Sequence, residues 1–214
     1  MLRKIGLFVV IACSLASAAA AQQVAMLTQV TGDVKVSGGE GARGAVPFLK
    51  VSQGDTLTLA GDSRVQIVYL TNGRQEIWKG AGPVQVGTQE GRSASLRAEA
   101  SQVPALVLRQ LEKTPAVGQH SKTGMVMLRS MDNLEAIDTL EKDYKNYRAA
   151  AAPDDTTPEV FFLTGLLDLQ DFDQAKKVLD ELKARQGPQP AYAAVVSHFE
   201  RLLAEAVASA PNRH

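Results

Sequence analysis

Between residues 30 and 86 the chain alternates apolar and polar positions in short runs. Beyond residue 132 the spacing lengthens to that of a helix. Residues 30–36, 48–51, 56–59 and 83–86 are β-rich runs separated by turns that contain glycine. Among them lies SRVQIVYLTNGRQEIW, residues 63–78, where two alternating runs meet at Asn72-Gly73. An Asn-Gly pair favours a type I′ hairpin, because both central residues of that turn need positive φ. Closing the turn with Thr71 opposite Arg74 sets Tyr69 against Glu76, Val68 against Ile77 and Ile67 against Trp78. Val65, Ile67, Tyr69 and Trp78 then share one face, the expected core side. The other face starts polar at Arg64 and Gln66 and turns apolar at Val68, Leu70 and Ile77, which implies a second layer over that half. Gly54-Asp55 and Gly61-Asp62 read as turns before successive strands. Strands at this spacing imply a small sandwich or barrel-like β-domain.

After Ser101 the pattern changes. Residues 103–113 form a short predicted helix with Pro104 tolerated in its first turn, and 114–123 read as a linker. Residues 124–129, GMVMLR, fit a last strand or a brief helix. Four helices follow. Leu134, Ile137, Leu140, Tyr144 and Tyr147 line the first, and Pro158 suits the first turn of the second. Residues 160–169 are apolar nearly all round, the signature of a helix buried on several sides. Phe172, Ala175, Val178, Leu179 and Leu182 line the third, which Gly187-Pro188 stops. Tyr192, Val195, Val196, Phe199, Leu202 and Leu203 line the fourth. The predicted fold is α+β, with an N-terminal all-β sandwich or barrel-like domain over 22–100. A connecting region over 101–131, a helical-hairpin region over 132–208 and a short tail over 209–214 complete it.

The run GDTLTLAGDSRVQIVYLTNGRQEIWKGAGPVQV resembles the FecR-type periplasmic β-domain, a likeness covering residues 24–97. That family runs Gly-Asp, a short strand, a polar turn, an alternating strand, Asp/Asn-Gly and two further strands. The resemblance implies a β-rich module in the bacterial cell envelope and carries over no active-site residue. The family's founders relay signals to a cytoplasmic sigma factor. With only four residues before the first apolar segment, no such cytoplasmic part is expected here. Gly165, Asp171-Phe-Asp-Gln-Ala175 and Leu179 resemble one tetratricopeptide-like helical hairpin, which implies a surface that receives peptides or proteins.

The N-terminus bears on compartment. Met1-Leu-Arg-Lys is basic, residues 5–11 are strongly apolar and 17–21 nearly all small, the order of a secretory signal peptide over 1–21. Ala19 and Ala21 suit cleavage after Ala21, leaving Gln22 first in a periplasmic or secreted chain with no membrane span. The alternative is a lipobox, Val10-Ile11-Ala12-Cys13, which would anchor the chain through lipid on Cys13. Cys13 is the chain's single cysteine, so the processed protein is expected to have no internal disulfide.

Candidate chemistry is sparse. Acidic and basic side chains balance at 23 each, and no like-charge run suggests nucleic acid as a partner. Gly39-Glu-Gly-Ala-Arg-Gly44 formally matches G-x-G-x-x-G, but another strand follows where a phosphate cradle needs a helix. The stretch 118–123 lacks the glycine a P-loop places before Lys122. His120, His198 and His214 have no metal-ligand spacing, and neither H-E-x-x-H nor G-x-S-x-G occurs. Asp154-Asp155 reads as turn formation and capping, and Trp78 as core rather than a sugar platform. No catalytic, cofactor-binding or metal residue is therefore expected. The expected function is a non-catalytic envelope protein whose helical region binds an envelope protein partner near Phe161, Asp168, Leu169 and Gln170. A glycan- or cell-wall-binding β-module is the alternative.

Overall fold

The computed structural model describes residues 22–39, 41–116, 132–185 and 190–209. Among these residues eight antiparallel strands come first and five helices follow, so the fold is α+β in the predicted order. Two long strands, β1 (Gln23–Gly38) and β4 (Thr56–Tyr69), pair along most of their length. β2 (Gly41–Gly44) and β3 (Lys50–Ser52) pair with β1, and β5 (Arg74–Lys79) and β6 (Gly82–Val86) with β4. β7 (Gly91–Arg92) extends from β6, and β8 (Ala98–Gln102) from β5. The signal-peptide segment, Cys13, residues 124–129, His120 and His214 lie outside the described residues.

Gly61-Asp62 proves to be no turn between strands, since it lies inside β4. Pairing steps from Thr31↔Arg64 to Asp33↔Ala60, so three residues of β4 face the single Gly32. Such a bulge bends the strand without ending it. Gly32 has φ +82, and a Cβ there would come within 2.6 Å of Ser63 Oγ. The bend lets one sheet fold over itself. Val34, Val36, Leu57 and Leu59 beyond it share a core with Val65, Ile67, Tyr69 and Trp78 before it.

The hairpin register also differs from the prediction. Val65 faces Trp78, Ile67 faces Glu76 and Val68 faces Gln75. The loop is four residues long rather than two, with Gly73 N–H donating to the Tyr69 carbonyl at 2.9 Å. Gly73 has φ +71 while Asn72 does not have positive φ, so the turn is not type I′. The Asn72 side chain explains the longer loop, because its Oδ1 accepts from Arg74 N–H at 3.0 Å and favours an Asx turn. A shift of two residues preserves parity, so Val65, Ile67, Tyr69 and Trp78 still share the inner face.

On the outer face, Met26, Phe48 and Val68 pack into a second core with the helices. α1 (Ala105–Lys113) starts after Pro104, which occupies the cap position rather than the first turn. α2 (Asp132–Ala150), α3 (Thr157–Asp168), α4 (Phe172–Arg185) and α5 (Pro190–Ser209) form the rest. Every residue from Thr157 to Leu166 is buried, and α3 touches α1, α2, α4 and α5. Pro158 stands in its first turn, as expected. At Gly165 the α2–α3 approach is so close that a Cβ would meet both Leu140 methyls at 2.6 Å. The helices therefore do not present a face independent of the sheet. Among the described residues only Val46 and Val207 are large apolar side chains left exposed.

Candidate functional site

The four side chains expected at a recruiting surface separate sharply in the structure. Phe161 is fully buried in the second core and is a packing residue, with nothing to offer a partner in this arrangement. Its place was not legible because an all-round apolar helix does not say which side carries a second layer. Asp168, Leu169 and Gln170 lie together at the α3–α4 corner and are half-buried. Asp168 Oδ2 accepts from Lys113 Nζ at 2.6 Å, tying the corner to the end of α1. Leu169 packs against the second core. Gln170 ends the helix in the left-handed region, φ 58. Asp171 N–H donates to the Leu166 carbonyl and Gln170 N–H to that of Leu167, the two bonds of a Schellman ending. Asp171 then caps α4 by accepting from Gln174 N–H at 3.1 Å.

A second polar cluster lies where the α2–α3 loop meets the sheet, and sequence reasoning foresaw only part of it. Asp155 does cap α3, its Oδ1 accepting from Thr157 N–H at 2.9 Å. The same oxygen accepts from Gln66 Nε2 at 2.9 Å, and Oδ2 accepts from Gln75 Nε2 at 3.3 Å. Gln29 Nε2 donates to the Asp154 carbonyl at 3.3 Å. Three neighbouring strands thus each give one glutamine amide to this acidic loop. Arg64 pairs with the Asp154 carboxylate and holds it below the usual carboxylate range. Behind them, Arg148 Nη1 lies 3.1 Å from Glu159 Oε2. Burial pushes Glu159 up against the pull of that guanidinium. The available signal was the polar start of the outer face at Arg64 and Gln66, with an acidic loop far along the chain to match it.

A third cluster sits inside the folded sheet. Glu76 is fully buried and accepts from Arg74 Nε at 2.6 Å, Trp78 Nε1 at 3.0 Å and Gly91 N–H at 3.0 Å. Tyr69 lies close by, and burial raises its phenol well above the ordinary value. Trp78 is buried, as expected, and so are Phe48 and Tyr69. Among the described residues no group of three or more His, Cys, Asp or Glu side chains could hold a metal ion. Over the same residues no helix is long and apolar enough to cross a membrane. Each of these buried carboxylates is thus spent on joining elements of the fold.

Comparison with protein-family models, curated proteins and solved structures finds no match to this chain. Both resemblances therefore rest on the quoted residues alone.

Proposed function

We propose that this chain is a non-catalytic protein of the bacterial cell envelope, a FecR-like β-module that positions a tetratricopeptide-like helical layer for binding another envelope protein. Export through the basic, apolar and Ala-rich leader places it in the periplasm, with Gln22 as first residue. The recruiting surface is the α3–α4 corner, carried by Asp168, Leu169 and Gln170.

The observation that carries this reading is where the buried charge goes. Asp155, Glu159 and Glu76 each meet donors from neighbouring elements, which suits a rigid interaction module better than proton transfer. The corner itself combines a left-handed residue with a half-buried leucine and a carboxylate paired to Lys113 of α1. The glycan-binding alternative needs exposed aromatic rings on the sheet, yet the three aromatic residues described there, Phe48, Tyr69 and Trp78, are buried.

Photo-crosslinking in intact cells tests the reading. A crosslinker at Gln170 is expected to give one discrete adduct with an envelope protein, and one at exposed Thr88 to give none. Equal adducts at both positions, or none at either, overturn the recruiting role. Recovery of Met1 or of an acylated Cys13 as the mature start would overturn the leader assignment.

A further inference from the structure

His198 lies in the second core, at the joint between α5 and the sheet. It is 6% exposed. Its ring stacks on Phe48, with centroids 4.5 Å apart and planes 19° from parallel, and Phe199 meets both rings edge-on. Phe48 is itself held in the left-handed region at φ 64. Its N–H donates to the Leu27 carbonyl at 2.6 Å, and Leu27 N–H donates to the Leu49 carbonyl at 2.9 Å. The turn that presents Phe48 is therefore pinned to β1 at both sides, and the imidazole is what meets it from α5.

The surroundings suit a neutral ring. Among the described residues buried Nε2 has no hydrogen-bond partner, and Nδ1 lies 3.5 Å from Arg201 Nη2. The charged groups acting on the imidazole are Arg201 and Glu205, both on α5, and those two pair with each other at 2.8 Å. From the segment after α1, the Pro115 carbonyl favours the charged ring without closing a hydrogen bond to Nε2. From the sheet, Phe48 presents only its ring. Lys50, the nearby cation of β3, is directed to the Glu112 carbonyl at 3.3 Å. An imidazolium here would be buried beside a guanidinium, with only the Pro115 carbonyl, among the described residues, to accept from it.

We propose that His198 is an acid-operated latch, whose protonation releases α5 from Phe48 and opens the apolar joint between helices and sheet while the sheet's inner core stays closed. Burial, helped by Arg201, holds the imidazole down to about 4 from an ordinary 6.5. A group depressed in the closed state contributes stability in full above the ordinary value, and loses it as pH falls from there through the closed-state value. The closed-to-open ratio thus falls by roughly 80-fold between those limits, out of roughly 300-fold for the complete titration. The surface uncovered contains Met26, Phe48 and Val68, all buried in the closed form.

Native-state hydrogen exchange of the full chain between pH 7 and 4, corrected for intrinsic rates, tests the latch. The expected result is exchange at Val195, Val196 and Leu202 that accelerates by roughly 100-fold, with Val65 and Ile67 in β4 unchanged. His198→Phe keeps a ring on Phe48 and is expected to remove the acceleration. Where that variant fails to fold, His198→Gln serves the same purpose. Exchange in α5 that ignores pH, or that accelerates equally in the variant, overturns the proposal. So does exchange of β4 in step with α5, which would mean ordinary acid unfolding.

Discussion

The molecule has two cores that meet at one sheet, and they are built differently. The inner core is closed by the sheet folding over itself, and nearly all its members come from alternate positions of strands. Its charged exception, Glu76, is satisfied within the sheet by Arg74, Trp78 and Gly91. The second core takes only Met26, Phe48 and Val68 from the described strand region and Val103 from the segment before α1, and fills its other buried positions from helices. Its border is polar, where Arg64, Gln29, Gln66 and Gln75 grip Asp154 and Asp155. The inner core closes through strand pairings such as Ala25 with Tyr69, some 45 residues apart, whereas the joint to the helices depends on contacts some 90 residues apart, such as Gln66 with Asp155. The helices thus hide their apolar excess against one another and, at one side, against the sheet.

The largest effect is expected from emptying the second core. Phe161→Ala removes a fully buried ring at the centre of α3 and should cost about 3–5 kcal/mol, read as a lower urea midpoint. Next comes the polar border. Asp155→Ala leaves the amide of Gln75 and the N–H of Thr157 without their acceptor and Gln66 with Thr157 Oγ1 alone, a loss of about 2–3 kcal/mol in the same measurement. A loss near zero would mean that this border contributes nothing to the joint.

These contacts explain what the chain alone could reveal. Period-two alternation placed Trp78, Val65 and Ile67 on the inner face, and the apolar half of the other face at Val68 and Leu70 announced a second layer. The bend at Gly32 escaped notice, because a bulge and a turn use the same residue types as Gly61-Asp62. The hairpin register escaped because Asn72 serves a four-residue Asx loop as readily as a type I′ turn. At the candidate site, the start of α4 at Asp171 was legible from the helical-hairpin resemblance, whereas the left-handed ending at Gln170 was not. Nor was the burial of Phe161, since the all-round apolar pattern of α3 does not mark which of its sides are covered.

Smaller changes sharpen the comparison. Gly73→Val should lower stability by about 1 kcal/mol or more, through positive φ and a Cβ that would approach Gln102 Nε2 at 2.8 Å. Gln170→Gly should act in the opposite direction, raising stability by about 0.5–1 kcal/mol, because glycine accepts the left-handed ending without strain. Asp168→Ala breaks a solvent-screened pair with Lys113 and should change thermal stability by less than about 0.5 kcal/mol. That small cost makes it the cleanest variant for testing partner binding at the corner.

The central claim is that sheet and helices form one cooperative unit joined by the second core. The chain's single tryptophan, Trp78, lies in the inner core, so its fluorescence reports the sheet, while far-ultraviolet circular dichroism at helical wavelengths reports the helices. Urea unfolding at neutral pH, where His198 is neutral, should give coincident transitions from the two probes. Helices that melt at lower urea than Trp78 becomes exposed would contradict the joint, and with it the account of why so apolar a helix as α3 is hidden.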